Sequence, residues 1–198
     1  MVFHNQDDDI SSGITFLDEK LSKIGWSAPF VHTMPLIRQD KPFETMEGTD
    51  RKRIFNTFAS FVSALPISYA VFFADKSFYE DADRMQEAYE HQIRNFIENN
   101  LEIFHGYDSI ICYYDRGQAI VSRILQNTLG SIFGNRIEFR TAYQKDYKLL
   151  QVADYICTLE QTKMRWDENR ATKSEKCFFG TRHLFMKNYY RKIVKKHI

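Results

Sequence analysis

Apolar positions along the chain alternate between helical and strand-like spacing. Val2 and Phe3 are typical of the end of a strand, and the helical stripe that follows ends at Gly25. That stripe consists of Ile14, Leu17, Leu21 and Ile24. Residues 30–37 are predicted to be a short extended stretch that contains His32 and ends at Arg38. The first third of the chain therefore already mixes strands with helices.

Two strongly apolar strands are predicted in the centre of the chain. The first, residues 67–74, is apolar or small on both faces and stops at Asp75, which Lys76 follows. The second, residues 109–114, stops in the same way at Asp115. Apolar residues on both faces are typical of a strand that helices cover on both sides.

Segments whose apolar residues recur at helical spacing separate these strands. A third short strand is expected at residues 136–140. The predicted helices span about residues 49–65, 80–104, 120–129 and 147–163. Strands that alternate with helices favour parallel pairing through right-handed crossovers. We therefore predict a single α/β domain over residues 1–198, with a basic, aromatic, helical segment at its C-terminal end.

Length and charge narrow the class of protein. The chain has 198 residues, of which 43% are hydrophobic. A chain of this length is long enough for one substantial hydrophobic core but short for two. The net charge of +1 gives no general attraction to nucleic acid, so any basic surface must be local. No apolar run approaches the roughly 20 residues that cross a bilayer. The first residues do not resemble a signal peptide either, so we expect a cytoplasmic protein without membrane contact.

The aspartates at the strand ends are the first candidates for chemistry. Parallel neighbouring strands would bring Asp75 and Asp115 to one sheet edge, where binding sites form in α/β proteins. Close carboxylates repel each other unless a cation neutralises them, and oxygen ligands suit Mg²⁺ or Mn²⁺. Asp154 adds a third acid beside an apolar helix face, where it needs a partner. The alternative is structural: a turn or cap at each strand end, and a salt bridge at Asp154.

Three segments and their surroundings resemble a widespread prokaryotic family, domain of unknown function 3800, over essentially the whole chain. The segments are Phe73-Ala74-Asp75-Lys76, Tyr113-Tyr114-Asp115-Arg116-Gly117 and Leu150-Gln151-Val152-Ala153-Asp154-Tyr155-Ile156. Further similar positions are His32, Ile37-Arg38, Phe178-Phe179, Lys187 and Tyr190. The Leu-Gln-x-Ala-Asp piece is the most specific of these motifs.

The resemblance implies a ribonuclease-H-like fold, a three-layer domain whose central mixed sheet carries helices on both faces. Asp75, Asp115 and Asp154 would then be the acids of a Mg²⁺ or Mn²⁺ site for phosphodiester cleavage. Lys76 would steady a phosphate or pair with Asp75. His32 would orient a water or a substrate, or be a core histidine.

One departure from the family pattern leaves two functions open. Family members begin with a strand that bears an Asp-Glu-Ser-Gly motif, and this sequence has no such motif. We therefore expect the first strand to be missing, with sheet edges that favour pairing with a second copy. The first function is a metal-dependent nuclease or phosphodiesterase. The alternative is a non-catalytic module that binds nucleic acid or protein.

The C-terminal segment bears on the second function. From Arg165 onward, ten Lys/Arg stand against three Asp/Glu and alternate with aromatic residues. This pattern suits nucleic-acid contacts, but it also suits an amphipathic helical segment packed on the core. Serine hydrolases and phosphate-loop proteins are disfavoured, because the sequence has no Gly-x-Ser-x-Gly motif and no glycine-rich loop. No cysteine is expected in a basic cleft.

Overall fold

The structure, a computed structural model, describes residues 1–28, 30–74, 78–115 and 119–198. These residues form two compact units. The first unit comprises Met1–Val71 and Tyr147–Ile198, and the second comprises Phe72–Asp146. Both contain helices and a small sheet, so the α/β class is confirmed. A single domain over residues 1–198 stays a prediction.

Helices outnumber strands in the described chain. In chain order the elements are β1 (Val2–His4), α1 (Ser11–Lys23), α2 (Thr33–Arg38), α3 (Gly48–Ala64), β2 (Ile67–Tyr69), α4 (Ala82–Asn99), α5 (Glu102–His105), β3 (Ile110–Asp115), α6 (Ala119–Phe133), β4 (Ile137–Ala142), α7 (Lys148–Asp167), α8 (Lys173–Phe179), α9 (Arg182–Phe185) and α10 (Arg191–Ile193). A π-helical stretch, Met186–Tyr190, joins α9 to α10. None of the described helices is long and apolar enough to span a membrane.

The described strands form two separate two-stranded sheets. In the first unit β1 runs antiparallel to β2, with Val2 opposite Tyr69. In the second unit β3 runs parallel to β4, with Asp115 opposite Ala142. The parallel pair confirms a crossover through α6, but β3, which ends in Asp115, pairs with β4 and not with the strand predicted at residues 67–74.

An aromatic cluster forms the centre of the first unit. The ring of Phe55 on α3 lies 5.4 Å from that of Tyr155 on α7 and 5.1 Å from that of Phe178 on α8. The C-terminal segment adds Phe185 and Ile193, both 0% exposed, to the same core. The core-packing interpretation of this segment is therefore confirmed for these two residues, whereas Leu184 is 43% exposed.

A buried ion pair fixes the start of α8. The Glu175 carboxylate is 1% exposed and accepts hydrogen bonds from Arg165 Nε at 2.8 Å and from Thr162 Oγ1 at 3.1 Å. Thr172 and Glu175 also form a reciprocal capping box. Burial on its own would raise the pKa of Glu175, but the hydrogen bonds from Arg165 and Thr172 outweigh it and lower that pKa. The carboxylate is thus held ionised within the core.

The extended stretch predicted for residues 30–37 is wrong beyond His32, because α2 begins at Thr33. Pro35 is the third residue of this helix, where the N–H that proline lacks would have no partner anyway. Leu36 and Ile37 are buried on the core side of the helix. The six residues of this helix are too few for its apolar positions to show a helical spacing in the sequence.

The strand predicted for residues 67–74 is also shorter than expected, because β2 ends at Tyr69. Beyond it, the Phe73 N–H and C=O bond to the side-chain amide of Gln92 on α4, at 3.1 and 3.0 Å, instead of to a neighbouring strand. The prediction of full burial is wrong for β3, whose residues are all partly exposed. Among the described strands β3 pairs with β4 alone, so no described strand lies along its other edge.

The second unit packs α4 and α6 together with the parallel pair. Its buried hydrophobic residues in the described chain are Ile93, Ile97, Phe104, Ile124, Leu125, Leu129 and Phe133. The helix predicted for residues 80–104 is divided at Asn100 into α4 and α5. Asp81 caps α4 by accepting the Arg84 N–H at 2.8 Å.

Candidate functional site

The segment that carries His32 is held on α7 by two side chains. Gln151 Oε1 accepts the Val31 N–H at 3.1 Å, and Asp154 Oδ2 accepts the Thr33 N–H at 2.9 Å. Gln151 and Asp154 are three residues apart, so they lie on the same face of the helix. In an extended chain the N–H groups of alternate residues point the same way, so those of Val31 and Thr33 both point toward this helix face. The two bonds fix His32 between them.

Asp154 also caps α2 from outside that helix. The residue before the helix, His32, makes no side-chain cap, so the first N–H groups have no partner within the helix or from its cap residue. The Asp154 carboxylate takes the first of them, and its negative charge is favourable at a helix N-terminus. The predicted need of this half-buried acid for a partner is confirmed.

His32 forms the second half of the candidate site. Its Nδ1 is buried, has no hydrogen-bond partner among the described residues and lies 3.7 Å from Asp154 Oδ2. The side chain is 37% exposed, and the ring of Phe30 stands edge-on to it at 5.6 Å. A carboxylate behind Nδ1 is the usual way to orient an imidazole whose Nε2 acts as a base or a ligand. The Nδ1–Oδ2 distance of 3.7 Å is too long for a hydrogen bond, so the Asp154 carboxylate is an electrostatic neighbour of the ring on its Nδ1 side.

The Asp154 carboxylate keeps one oxygen available. Its contacts with Thr33 and with His32 both involve Oδ2. Within the described ranges Oδ1 makes no hydrogen bond or ion pair, and the side chain is 22% exposed. An ionised oxygen in this state can accept a proton donor or ligate a cation.

The other predicted site residues lie in other parts of the chain. Asp115 is the last residue of β3 in the second unit, and its side chain is partly exposed. Asp75 and Lys76 lie outside the described residues. The predicted triad of Asp75, Asp115 and Asp154 therefore stays a prediction.

The donor chemistry of the described acids fits a hard cation. Asp115 and Asp154 offer carboxylate oxygens, the ligands that Mg²⁺ and Mn²⁺ prefer. Among residues 1–28, 30–74, 78–115 and 119–198, no group of three or more His, Cys, Asp or Glu side chains lies close enough to hold a metal ion. Asp75 lies outside that set of residues, so the cluster of Asp75, Asp115 and Asp154 stays a prediction.

Arg51 is a functional candidate that the sequence analysis missed. It lies on α3 and is 8% exposed, although arginine is seldom buried without an ionic partner. A signal was present in the sequence, because Arg51 stands three residues before Ile54 and four before Phe55. It is thus in register with the apolar stripe of its helix. An arginine in that position indicates a buried guanidinium with a specific role.

Comparisons with known proteins give no relative for this chain. No family model matches it, no curated protein matches it, and no solved structure matches it. The resemblance to domain of unknown function 3800 therefore stays a prediction from the quoted motifs.

Proposed function

We propose that this chain is a divalent-metal-dependent phosphodiester hydrolase, a nuclease of the ribonuclease-H-like type with a three-layer fold. The observation that supports the proposal best is the pairing of Asp154 with His32 beside an available carboxylate oxygen. Acids and a histidine in this relation are common in sites that activate water for hydrolysis. Asp75 and Asp115 complete the proposed set of acids.

The protein side chains have separate roles in this proposal. Asp154 places a negative charge beside Nδ1 of His32 through Oδ2 and offers Oδ1 to a cation, together with Asp75 and Asp115. His32 orients a water molecule or a substrate oxygen through Nε2 and takes up its proton. Lys76 steadies the negative charge of the phosphate. A bound Mg²⁺ or Mn²⁺ would polarise the phosphate and lower the pKa of a bound water.

One observation favours the alternative, a non-catalytic binding module. Gln151 and Asp154 both accept backbone N–H groups, a role that needs no catalysis. In this alternative the Leu-Gln-x-Ala-Asp motif holds α2 in place, and the protein binds nucleic acid or another protein. Pairing between two copies through sheet edges belongs to the same alternative.

A cleavage assay on the 198-residue chain tests the proposal. We expect the wild-type protein to cut at least one of single-stranded DNA, double-stranded DNA, single-stranded RNA and an RNA–DNA hybrid in Mn²⁺ or Mg²⁺. EDTA should stop the reaction, because the metal ion would polarise the phosphate and activate the water. Binding of a nucleic acid without cleavage in either metal would favour the binding module and contradict the hydrolase.

A further inference from the structure

An open cavity of about 760 Å³ lies in the first unit, where the end of α2 meets the starts of α3 and α8. Four cationic side chains and one carboxylate line it: Arg38, Arg51, Lys52 and Lys173 against Glu47. A cavity of this size takes a small organic molecule. The excess of positive charge favours a molecule that carries negative charge.

Arg51 is the buried cation of this cavity. Its Nη1 donates to the Leu36 carbonyl at 2.8 Å, and its Nη2 donates to Gln39 Oε1 at 3.1 Å. Its Nε is buried and has no hydrogen-bond partner within residues 1–28, 30–74, 78–115 and 119–198. In the part of the chain that the structure describes, no carboxylate forms a salt bridge with it. A buried charge held only by neutral acceptors is costly, and a bound anion would compensate it.

The start of α3 adds backbone donors at the same place. The residue before this helix, Glu47, makes no side-chain cap, and the first two helical residues, Gly48 and Thr49, line the cavity. The first N–H groups of a helix have no partner within it and carry partial positive charge, a combination that binds phosphate. Arg51 Nη2 lies 3.8 Å from the position that a Cβ on Gly48 would take. The guanidinium and the helix start are therefore neighbours.

Gln39 holds the guanidinium in position from the other side. It adopts a left-handed backbone conformation, with φ of 65°, which residues other than glycine seldom adopt. Its side-chain Nε2 donates to the carbonyls of Glu44 and Met46, both at 3.2 Å, while Oε1 accepts from Arg51. The donors of the cavity are thus fixed before a ligand arrives, which favours affinity.

The rest of the wall is suited to an uncharged organic body. Ile37 and Phe178 supply apolar surface, and Cys177 also lines the cavity. The expectation that no cysteine lies in a basic cleft is therefore wrong, because α8 brings Cys177 into the same cavity as Lys173. Cationic groups together with apolar surface indicate a ligand that combines a charged group with an apolar part.

We propose that this cavity binds an organic phosphate monoester of about nucleotide size. The phosphoryl group lies between the Arg51 guanidinium and the start of α3, where Nη2 and the helix N–H groups face its oxygens. Lys52 and Lys173 neutralise the remaining charge from the rim, and the organic part lies against Phe178. The site uses neither His32 nor Asp154, so it does not depend on the proposed hydrolase activity.

Calorimetric titration of the full chain tests this site with defined probes. The probes are the four ribonucleoside 5′-monophosphates, the four nucleosides, inorganic phosphate and a single-stranded oligonucleotide. We expect at least one monophosphate to bind saturably and more tightly than its nucleoside and than inorganic phosphate. Saturable binding of the oligonucleotide but of no monophosphate would overturn the proposal, and so would equal binding of a nucleoside and its monophosphate.

Variants at the rim test the placement of the phosphate without disturbing the core. The double variant Lys52→Gln/Lys173→Gln should weaken monophosphate binding about tenfold or more, since each change removes a charge-assisted contact. Lys195→Gln, an exposed change outside the cavity lining, should leave binding as in wild type. Arg51→Gln should abolish binding, with its thermal unfolding recorded to show that it folds. Unchanged affinity in the rim double variant would refute this placement.

Discussion

Replacing Asp154 by asparagine is expected to lower metal-dependent cleavage by roughly 10²–10⁴-fold while the fold stays intact. The amide oxygen of asparagine still accepts the Thr33 N–H, so α2 keeps its cap. The negative charge beside His32 Nδ1 is lost, and with it the anionic oxygen offered to a cation. Cleavage rates and a thermal unfolding curve, recorded on the same preparation, measure the two effects separately.

The matched control is Asp167→Asn on the same helix. Asp167 is an exposed partner of Lys163 and Arg182 near the end of α7, away from the capped start of α2. We expect its cleavage rate to equal that of wild type within a factor of about two, because exposed ion pairs contribute little. Full activity in Asp154→Asn would restrict Asp154 to its capping role and remove it from the site.

Replacing Glu175 by glutamine is expected to reduce the free energy of unfolding by about 3 kcal/mol. The carboxylate is almost fully buried and accepts from Arg165, Thr162 and Thr172. Glutamine keeps the volume of the side chain but leaves the Arg165 guanidinium, which is 25% exposed, without its counter-charge. Urea unfolding followed by tryptophan fluorescence reports the change, since Trp166 lies on α7 next to Arg165.

The difference in the free energy of unfolding between wild type and Glu175→Gln should depend on pH in one direction. The pKa of Glu175 is lowered in the folded protein, so the ionised pair stabilises the fold above the carboxyl pKa of the unfolded chain, about 4.3. This contribution disappears as pH falls through the lower folded-state pKa. The exposed pair of Glu168 with Arg170 is the control, and Glu168→Gln should cost at most about 0.5 kcal/mol. Equal losses in the two variants at neutral pH would show that burial of Glu175 gives its ion pair no advantage.

Helical periodicity predicted the elements that carry the site. The stripe from Ile54 to Val62 predicted α3, and the apolar positions around Tyr155 predicted α7. Both predictions lie within a few residues of the observed helix ends. The three-residue spacing of Gln151 and Asp154 is enough to place both on one face of a helix. That face accepts the backbone N–H groups of Val31 and Thr33, the residues on either side of His32.

Contacts between distant segments explain what the sequence did not reveal. The N–H that Asp154 caps belongs to a residue 121 positions away, so no local pattern could predict α2 from it. The apolar run after Tyr69 is typical of a strand, yet its backbone at Phe73 bonds to the side chain of Gln92. Arg51 could have been noticed in its apolar stripe, but the neutral acceptors around it come from residues 36–39, outside its helix.

A titration of Mn²⁺ into the wild-type chain and into Asp154→Asn tests the proposed hydrolase most directly. The proposal predicts saturable Mn²⁺ binding by the wild-type protein and binding at least about tenfold weaker in the variant, because a carboxylate oxygen is removed from the ligands. No saturable binding to the wild-type chain, or equal affinity in both proteins, would contradict the assignment of Asp154 to a metal site.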